Sequence, residues 1–252
     1  VRQGDHDLAV GDLFGSSMAN MLILAVADLV LWRQRVLMRV AVNQALVGLL
    51  AIGLTVIALA GMTQGSDVTI LGLGWAPLTI GAIYLGTMRH LHMHRASPPF
   101  EGVDSTREEA VGKHKGDLRR PAVEFIAAAI VILLAAPFLA SSAGDIADQL
   151  GVSSGVIGVV LLALTTSLPE VTVTVESLRR GSIDMAVGNL LGSNAVNMLI
   201  ILPLDAVDGG GSLLAGVGGS AAVAGLFATL LMAQTLFEVL NKEETRVRWL
   251  EP

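Results

Sequence analysis

Seven stretches of the chain are apolar over about 20 residues each, the length that an α-helix needs to cross a bilayer. Lipid offers no hydrogen-bond partner to an open strand, so these stretches predict transmembrane helices. Only 15% of the residues are charged, whereas a soluble domain has roughly 25%. The sequence therefore predicts an all-α fold, a polytopic membrane helical bundle. The stretches are 8–31, 36–60, 68–89, 121–140, 153–178, 183–206 and 212–240.

The basic residues predict which side of the membrane each connection occupies. If the seven spans alternate in direction, fifteen of the sixteen Lys and Arg residues fall on one side and only Arg2 on the other. Positively charged loops lie on the cytoplasmic side of membrane proteins. We therefore expect residue 1 outside, and both the polar loop 91–120 and the C-terminus in the cytoplasm. The loop would separate first-half helices over 1–90 from second-half helices over 121–252.

The composition also excludes several classes of function. Sixteen basic residues against twenty-two acidic residues leave no positive excess for nucleic-acid binding. The absence of cysteine excludes disulfides, thiolate metal sites and a cysteine nucleophile. Nowhere in the sequence do histidines or acid pairs converge as they would in a catalytic site. We therefore expect neither an enzyme nor a resident cofactor.

Two segments of the chain, 177 residues apart, are copies of each other. Residues 2–28 and 179–205 agree at 14 of 27 positions, and the shared residues include Gly, Ser, Asn and Asp. The copies fall in the first and sixth spans and would therefore cross the membrane in opposite directions. Inverted repeats build many secondary transporters, whose substrate site lies at mid-membrane between the repeats. The duplication thus predicts a transporter.

Each copy carries three polar residues at positions i, i+4 and i+8, which lie along one face of a helix. Nearby glycines would let another helix approach this face closely. Helix packing is the simpler explanation for any single residue, but two matching trios favour an ion-binding function. The trios are Asp12, Ser16 and Asn20 in the first copy and Asn189, Ser193 and Asn197 in the second.

The fifth span contains an acidic residue directly after a proline, in the segment TTSLPE over 165–170. A carboxylate deep in a bilayer is costly, so Glu170 is a candidate functional residue. Pro169 lacks an N–H group and frees carbonyl oxygens near Thr165 and Thr166. Carboxylate, carbonyl and hydroxyl oxygens suit hard cations such as Ca²⁺, Na⁺ or Mg²⁺. The alternative is a proline kink beside a proton-carrying or salt-bridged glutamate.

TSLPE with GNLLGSNAVN of the second copy, together with GDLFGSSMAN of the first copy, resembles the α-repeats of the sodium/calcium exchanger family of cation/Ca²⁺ antiporters. The resemblance implies a bacterial-type member in an inner (plasma) membrane, with ten helices and inverted repeats that bind Na⁺ and Ca²⁺ in alternation. The chain would hold seven of these helices, with one repeat at about 155–206 and part of the other at 2–30. The ion ligands that the resemblance implies are Glu170, Thr166, Ser167, Ser193, Asn197, Ser16 and Asn20.

The chain departs from the family pattern at three positions of the copies. Asn197 stands where some members carry Asp, Ser17 replaces the Asn of GSN, and Asp12 replaces the Asn of GN. We expect Asp12 to lie near the extracellular mouth and to attract cations rather than bind them. The partner of the Pro169–Glu170 motif would fall before Val1, so we expect the chain to be a fragment.

These observations predict an antiporter that exchanges Ca²⁺ for Na⁺ by alternating access, with these two ions and the lipid bilayer as its partners. One alternative is an antiporter that exchanges Ca²⁺ or another cation for H⁺, with Glu170 as the proton carrier. Another is a membrane scaffold that does not transport. The sequence leaves the counter-ion, the stoichiometry and the oligomeric state open.

Overall fold

The computed structural model describes residues 3–31, 36–37, 42–64, 69–70, 72–93, 119–208 and 212–241. Within these ranges the chain is helical except for turns and one short antiparallel hairpin, β1 (Thr69–Ile70) with β2 (Leu73–Gly74). A π-helical turn covers Gly158–Leu162 and a 3₁₀ turn covers Leu213–Gly216. The α-helices are α1 (Gln3–Val30), α2 (Val42–Gln64), α3 (Trp75–Met93), α4 (Arg119–Leu150), α5 (Ser154–Ile157), α6 (Ala163–Thr166), α7 (Leu168–Arg179), α8 (Ile183–Asp208) and α9 (Gly219–Leu240).

Several of these helices have the length and composition of membrane spans. Four described segments meet this condition: His6–Val30, Gln44–Gln64, Ile183–Asp208 and Gly219–Leu240. A fifth span is broken, because Gly158–Thr166 and Leu168–Arg179 meet at an angle of 45°. The protein is thus an all-α membrane protein. Helices α3 and α4 lie over the remaining apolar stretches, 68–89 and 121–140, and the total of seven spans stays a prediction.

The membrane orientation also stays a prediction. Most of the expected cytoplasmic loop, residues 94–118, lies outside the described residues. The same holds for residue 1 and for residues 242–252.

Buried polar residues, more than apolar ones, mark the interior of the bundle. Lipid is as apolar as a protein core, so large apolar side chains lie on both the inner and outer faces of membrane helices. Phe14 and Leu190 are fully buried, while Val207 is 86% exposed. Asn20 and Asn194 are completely buried at the contact between α1 and α8. These two helices, together with α2 and α9, form the core of the described chain.

A buried aspartate fixes the end of α8 to the segments around it. The Asp205 side chain is fully buried and accepts hydrogen bonds from the backbone N–H groups of Gly74 and Leu213, both at 2.7 Å. Its counterpart in the first copy, Asp28, accepts the backbone N–H of Leu37 at 3.3 Å. The shared aspartate therefore satisfies a backbone donor of a following segment in both copies.

Replacing Asp205 by asparagine is expected to destabilise the protein by about 2 kcal/mol, because the amide can accept one of the two N–H groups but turns a donor towards the other. Thermal unfolding in detergent micelles measures this loss. Asp145→Asn, on the exposed surface of α4, is the matched control and should leave the unfolding temperature unchanged. Equal unfolding temperatures for the two variants would contradict the anchoring role of Asp205.

Candidate ion-binding site

The centre of the candidate site is the break between α6 and α7. Pro169 lies in the first turn of α7 and has no N–H group for the carbonyl of Thr165. Ser167, between the two helices, has φ −88° and ψ 2° and leaves the helical conformation. The interruption predicted from the proline is therefore present. It places Glu170 in the first turn of α7, where the helix dipole favours a negative charge.

On one side of the break, Glu170 contacts α8. Ser193 Oγ donates a hydrogen bond to Glu170 Oε1 at 2.7 Å. The other carboxylate oxygen, Oε2, is buried and has no hydrogen-bond partner among the described residues. Ser167 Oγ is buried without a partner as well. Buried polar atoms are normally paired, so these two unpaired oxygens are available as ligands for a cation.

On the other side of the break, Thr166 contacts α1. Its hydroxyl donates to Asp12 Oδ1 at 2.8 Å, and Ser16 Oγ lies 3.0 Å from Thr166 Oγ1. Asp12 is half-buried and Thr166 is exposed, so this side of the site is open. The placement of Asp12 beside Thr166 is a result that the sequence reasoning missed. The sequence grouped Asp12 with Ser16 and Asn20 by their spacing, but the set of ligands that the resemblance implied did not include Asp12.

A pair of asparagines joins the two copies next to these contacts. Asn20 Nδ2 donates to Asn194 Oδ1 at 2.8 Å, and both side chains are fully buried. The amide oxygen of Asn20, Oδ1, is buried and has no hydrogen-bond partner in the described chain. The same is true of the amide nitrogen of Asn197, Nδ2. Ser17 is the repeat counterpart of Asn194, but its hydroxyl bonds the Leu13 carbonyl of its own helix at 3.0 Å. Asn194 was not among the predicted ligands.

Two glycines allow α1 to lie directly against the segment before the break. A Cβ atom added at Gly15 would overlap the Val159 carbonyl oxygen and would lie 2.7 Å from the Ala163 Cβ atom. A Cβ atom at Gly158 would overlap the Leu8 carbonyl oxygen. Close approach of this kind is the use of small residues between membrane helices. It is what brings Thr166 within reach of α1.

The seven residues predicted as ligands thus lie on α1, on α8 and along the broken segment formed by α6 and α7. Thr166 contacts Ser16, Glu170 contacts Ser193, and Ser167 lies between these contacts. Asn20 is hydrogen-bonded to Asn194, and Asn197 Nδ2 is buried without a hydrogen-bond partner among the described residues.

The polar side chains at the break offer oxygen donors. In the part of the chain that the structure describes, no three His, Cys, Asp or Glu side chains converge to hold a metal ion. The available donors are two carboxylates, hydroxyls and amides, an oxygen set that suits hard cations such as Ca²⁺ and Na⁺.

The chain is similar to proteins named as antiporters and exchangers. It is 29% identical to the putative antiporter CaxA of Alkalimonas amylolytica over 250 residues, which cover 93% of this chain and 69% of CaxA. It is 29% identical to the inner membrane protein YrbG of Escherichia coli (strain K12) over 210 residues, covering 80% of this chain and 60% of YrbG. The sodium/calcium exchanger MaX1 of Methanosarcina acetivorans is 34% identical over 90 residues, covering 36% of this chain and 26% of MaX1. No solved structure matches the chain.

A family model provides the decisive comparison. The model described as sodium/calcium exchanger protein matches residues 121–252, which are more than half of the 252 residues and include the break, Glu170 and α8. The matched region thus contains the acidic motif and the second copy on which the sequence resemblance rests. The chain belongs to the sodium/calcium exchanger family.

Proposed function

We propose that the protein is a secondary active antiporter that exchanges Ca²⁺ for Na⁺ across a membrane by alternating access. The observation that carries this proposal is the Glu170 carboxylate at a helix break, with one oxygen held by Ser193 and the other buried without a partner. A fixed carboxylate with a free oxygen is an acceptor for a desolvated cation. The transported ions are substrates of this site.

The proposed mechanism is competition for Glu170. Ca²⁺ and the counter-ion both need the same carboxylate oxygen to offset their charge, so one must leave before the other binds. The break contacts α1 on one side and α8 on the other, so a small rotation of either helix changes the ligands on that side only. This arrangement supports alternating access. The proposed ligands are Glu170, Thr166, Ser167, Ser193, Asn197, Ser16 and Asn20, with Asp12 added.

We also propose that the fold is the ten-helix, inverted-repeat bundle that the family resemblance implies, with seven of its helices in this chain. The identity of the two copies supports this arrangement. A difference between two equivalent glycines also supports it. A Cβ atom added at Gly15 would meet the segment before the break, whereas a Cβ atom added at Gly192 would meet nothing within 4 Å in the described chain. The open side of Gly192 leaves room for the equivalent segment of the other repeat.

Flux measurements test the proposed exchange. The intact protein in membrane vesicles should take up radiolabelled Ca²⁺ when an outward Na⁺ gradient is imposed, and vesicles without the protein should not. Uptake that follows a pH gradient but not a Na⁺ gradient would favour the H⁺-coupled alternative, in which the free Glu170 oxygen carries the proton. Absence of uptake under both gradients would favour a scaffold that does not transport.

Replacing Asp12 by asparagine is expected to weaken Ca²⁺ binding roughly tenfold while exchange continues, because one charge near the bound ion is lost but the Thr166 contact can persist. Asparagine is also the residue of the family pattern at this position. Isothermal titration with Ca²⁺ in detergent measures the effect, and Asp148→Asn on the exposed face of α4 is the control. Unchanged binding would remove Asp12 from the site and leave the proposal for Glu170 intact.

A further inference from the structure

Thr174 and Ser177 of helix α7, together with Ser167 just before it, are buried, whereas Thr172 and several apolar side chains of this helix are exposed. Ser167, Thr174 and Ser177 are 2%, 1% and 3% exposed. Val173 and Val175, on the other faces of the helix, are exposed. A polar stripe therefore continues from Glu170 along the buried side of α7, towards its end at Arg179.

Thr174 of this stripe, like Ser167, has a hydroxyl that is unpaired among the described residues, although a bond to its own helix would be possible. A threonine in a helix can donate to the carbonyl four residues earlier. Thr172 does so to Leu168, at 3.1 Å, and Thr165 does so to Leu161, at 2.9 Å. Thr174 Oγ1 is buried and has no partner in the described chain. A hydroxyl that serves only packing would be expected to use its own helix carbonyl.

A second unpaired polar group lies on the facing helix. Asn189 Nδ2 of α8 is buried and also lacks a partner among the described residues. Helices α7 and α8 form an antiparallel hairpin around Gly181, whose φ is +73°. The Glu170–Ser193 contact sets the register of this hairpin. Thr174 lies one turn after Glu170 on α7, and Asn189 lies one turn before Ser193 on α8. Because the two helices are antiparallel, Thr174 and Asn189 occupy facing positions.

We propose that Thr174 and Asn189 form a transit site, a second and weaker station for the transported cation between Glu170 and the hairpin end that carries Arg179 and Arg180. This inference rests on the proposed exchange function. The Thr174 hydroxyl offers an oxygen directly, and the Asn189 amide offers one after a half-turn about its terminal bond. Neutral oxygens replace part of a hydration shell without trapping the ion.

The charged groups at this end of the hairpin fit a passage to water. Glu176 and Arg180 form an exposed ion pair with Nε and Oε1 at 2.7 Å. Both charges are exposed and screened by solvent, so they leave the entrance of the passage open without holding a cation. Arg179 and Asp184 add one further charge of each sign at the same end. By the positive-inside prediction, this entrance faces the cytoplasm.

The test is the rate and the affinity of Ca²⁺ exchange by the intact protein in vesicles. Thr174→Val removes the hydroxyl at nearly constant volume and is expected to lower the maximal exchange rate roughly tenfold, with the apparent Ca²⁺ affinity within about twofold of the original. Thr172→Val is the matched control, on the same helix but exposed, and should keep the original rate. Thr174→Ser restores an oxygen and should restore the rate.

Asn189→Asp provides the opposite test. A carboxylate at the transit site should hold the cation longer, so apparent affinity should rise while the maximal rate falls. Equal exchange rates for Thr174→Val and Thr172→Val would show that the transit site is wrong. So would a Thr174→Val variant that loses as much affinity as rate, if Thr174→Ser restores neither. In both cases the proposed exchange itself would stand. If the unchanged protein exchanges no Ca²⁺, the proposed function fails and the transit site fails with it.

Discussion

Replacing Glu170 by glutamine is expected to lower Ca²⁺ exchange at least about a hundredfold, because the variant removes the carboxylate charge directly after the helix break, on which a desolvated cation depends. Glutamine keeps the size of the side chain and one acceptor oxygen. The hydrogen bond from Ser193 Oγ, 2.7 Å in the structure, can therefore survive the change. Loss of exchange with an unchanged unfolding temperature would identify the charge itself as the essential feature.

Glu176 provides the control for this prediction. It lies on the same helix, six residues after Glu170, but it is exposed and paired with Arg180. Exposed ion pairs contribute about 0–1 kcal/mol, so Glu176→Gln should change neither stability nor exchange noticeably. If Glu170→Gln exchanges Ca²⁺ as fast as Glu176→Gln does, Glu170 is not the ion-binding acid.

Replacing Gly158 by alanine is expected to destabilise the protein by about 3 kcal/mol, because the added methyl group overlaps backbone atoms that cannot move aside cheaply. The Cβ atom would overlap the Leu8 carbonyl oxygen and lie 3.1 Å from the backbone nitrogen of Asp12. To accommodate it, α1 must shift away from the segment before the break. Exchange should then fall together with stability, since this shift also separates Asp12 and Ser16 from Thr166.

Thermal unfolding and Ca²⁺ flux, measured on the same preparations, test this prediction. Gly53→Ala in α2 is the control, because a Cβ atom at Gly53 would meet nothing within 4 Å. Alanine is a better helix former than glycine by roughly 1 kcal/mol, so this variant should be as stable as the original or slightly more stable. Two alanine variants of equal stability would contradict the close approach of α1 to Gly158.

The helix break could be predicted because its cause is local. Pro169 cannot donate to the carbonyl four residues earlier, wherever the rest of the chain lies. The same holds for the helices themselves, because lipid forces backbone groups to pair within each segment. The candidate acid follows from the same logic, since Glu170 is an unpaired charge in an apolar segment.

Helix faces were harder to predict. In a soluble protein an apolar stripe marks the buried side of a helix, but a membrane helix is apolar on both sides. The described helices therefore show leucines and valines that are more than half exposed next to equally apolar buried ones. Only the polar residues could indicate the interior, and they did so for Asn20, whereas Asp12 was expected near the extracellular mouth.

Asp12 illustrates what the order of residues leaves undetermined. Its distance from the start of the span indicated a place near the membrane surface. In the structure Asp12 Oδ1 accepts a hydrogen bond from Thr166, a residue 154 positions later, because α1 crosses the segment before the break at Gly15 and Gly158. The depth of a side chain within one helix says nothing about which residue of another helix lies beside it.

The class of protein, the interruption at Pro169, the duplicated segments and the candidate acid Glu170 could all be predicted from the amino-acid order, because each depends on composition, backbone chemistry or internal identity. The hydrogen-bond partners could be identified only in the folded protein: Ser193 for Glu170, Thr166 for Asp12, and Asn194 for Asn20. These pairs depend on how closely helices from distant parts of the chain approach each other. That approach is set by the packing of several helices together, which no single segment specifies.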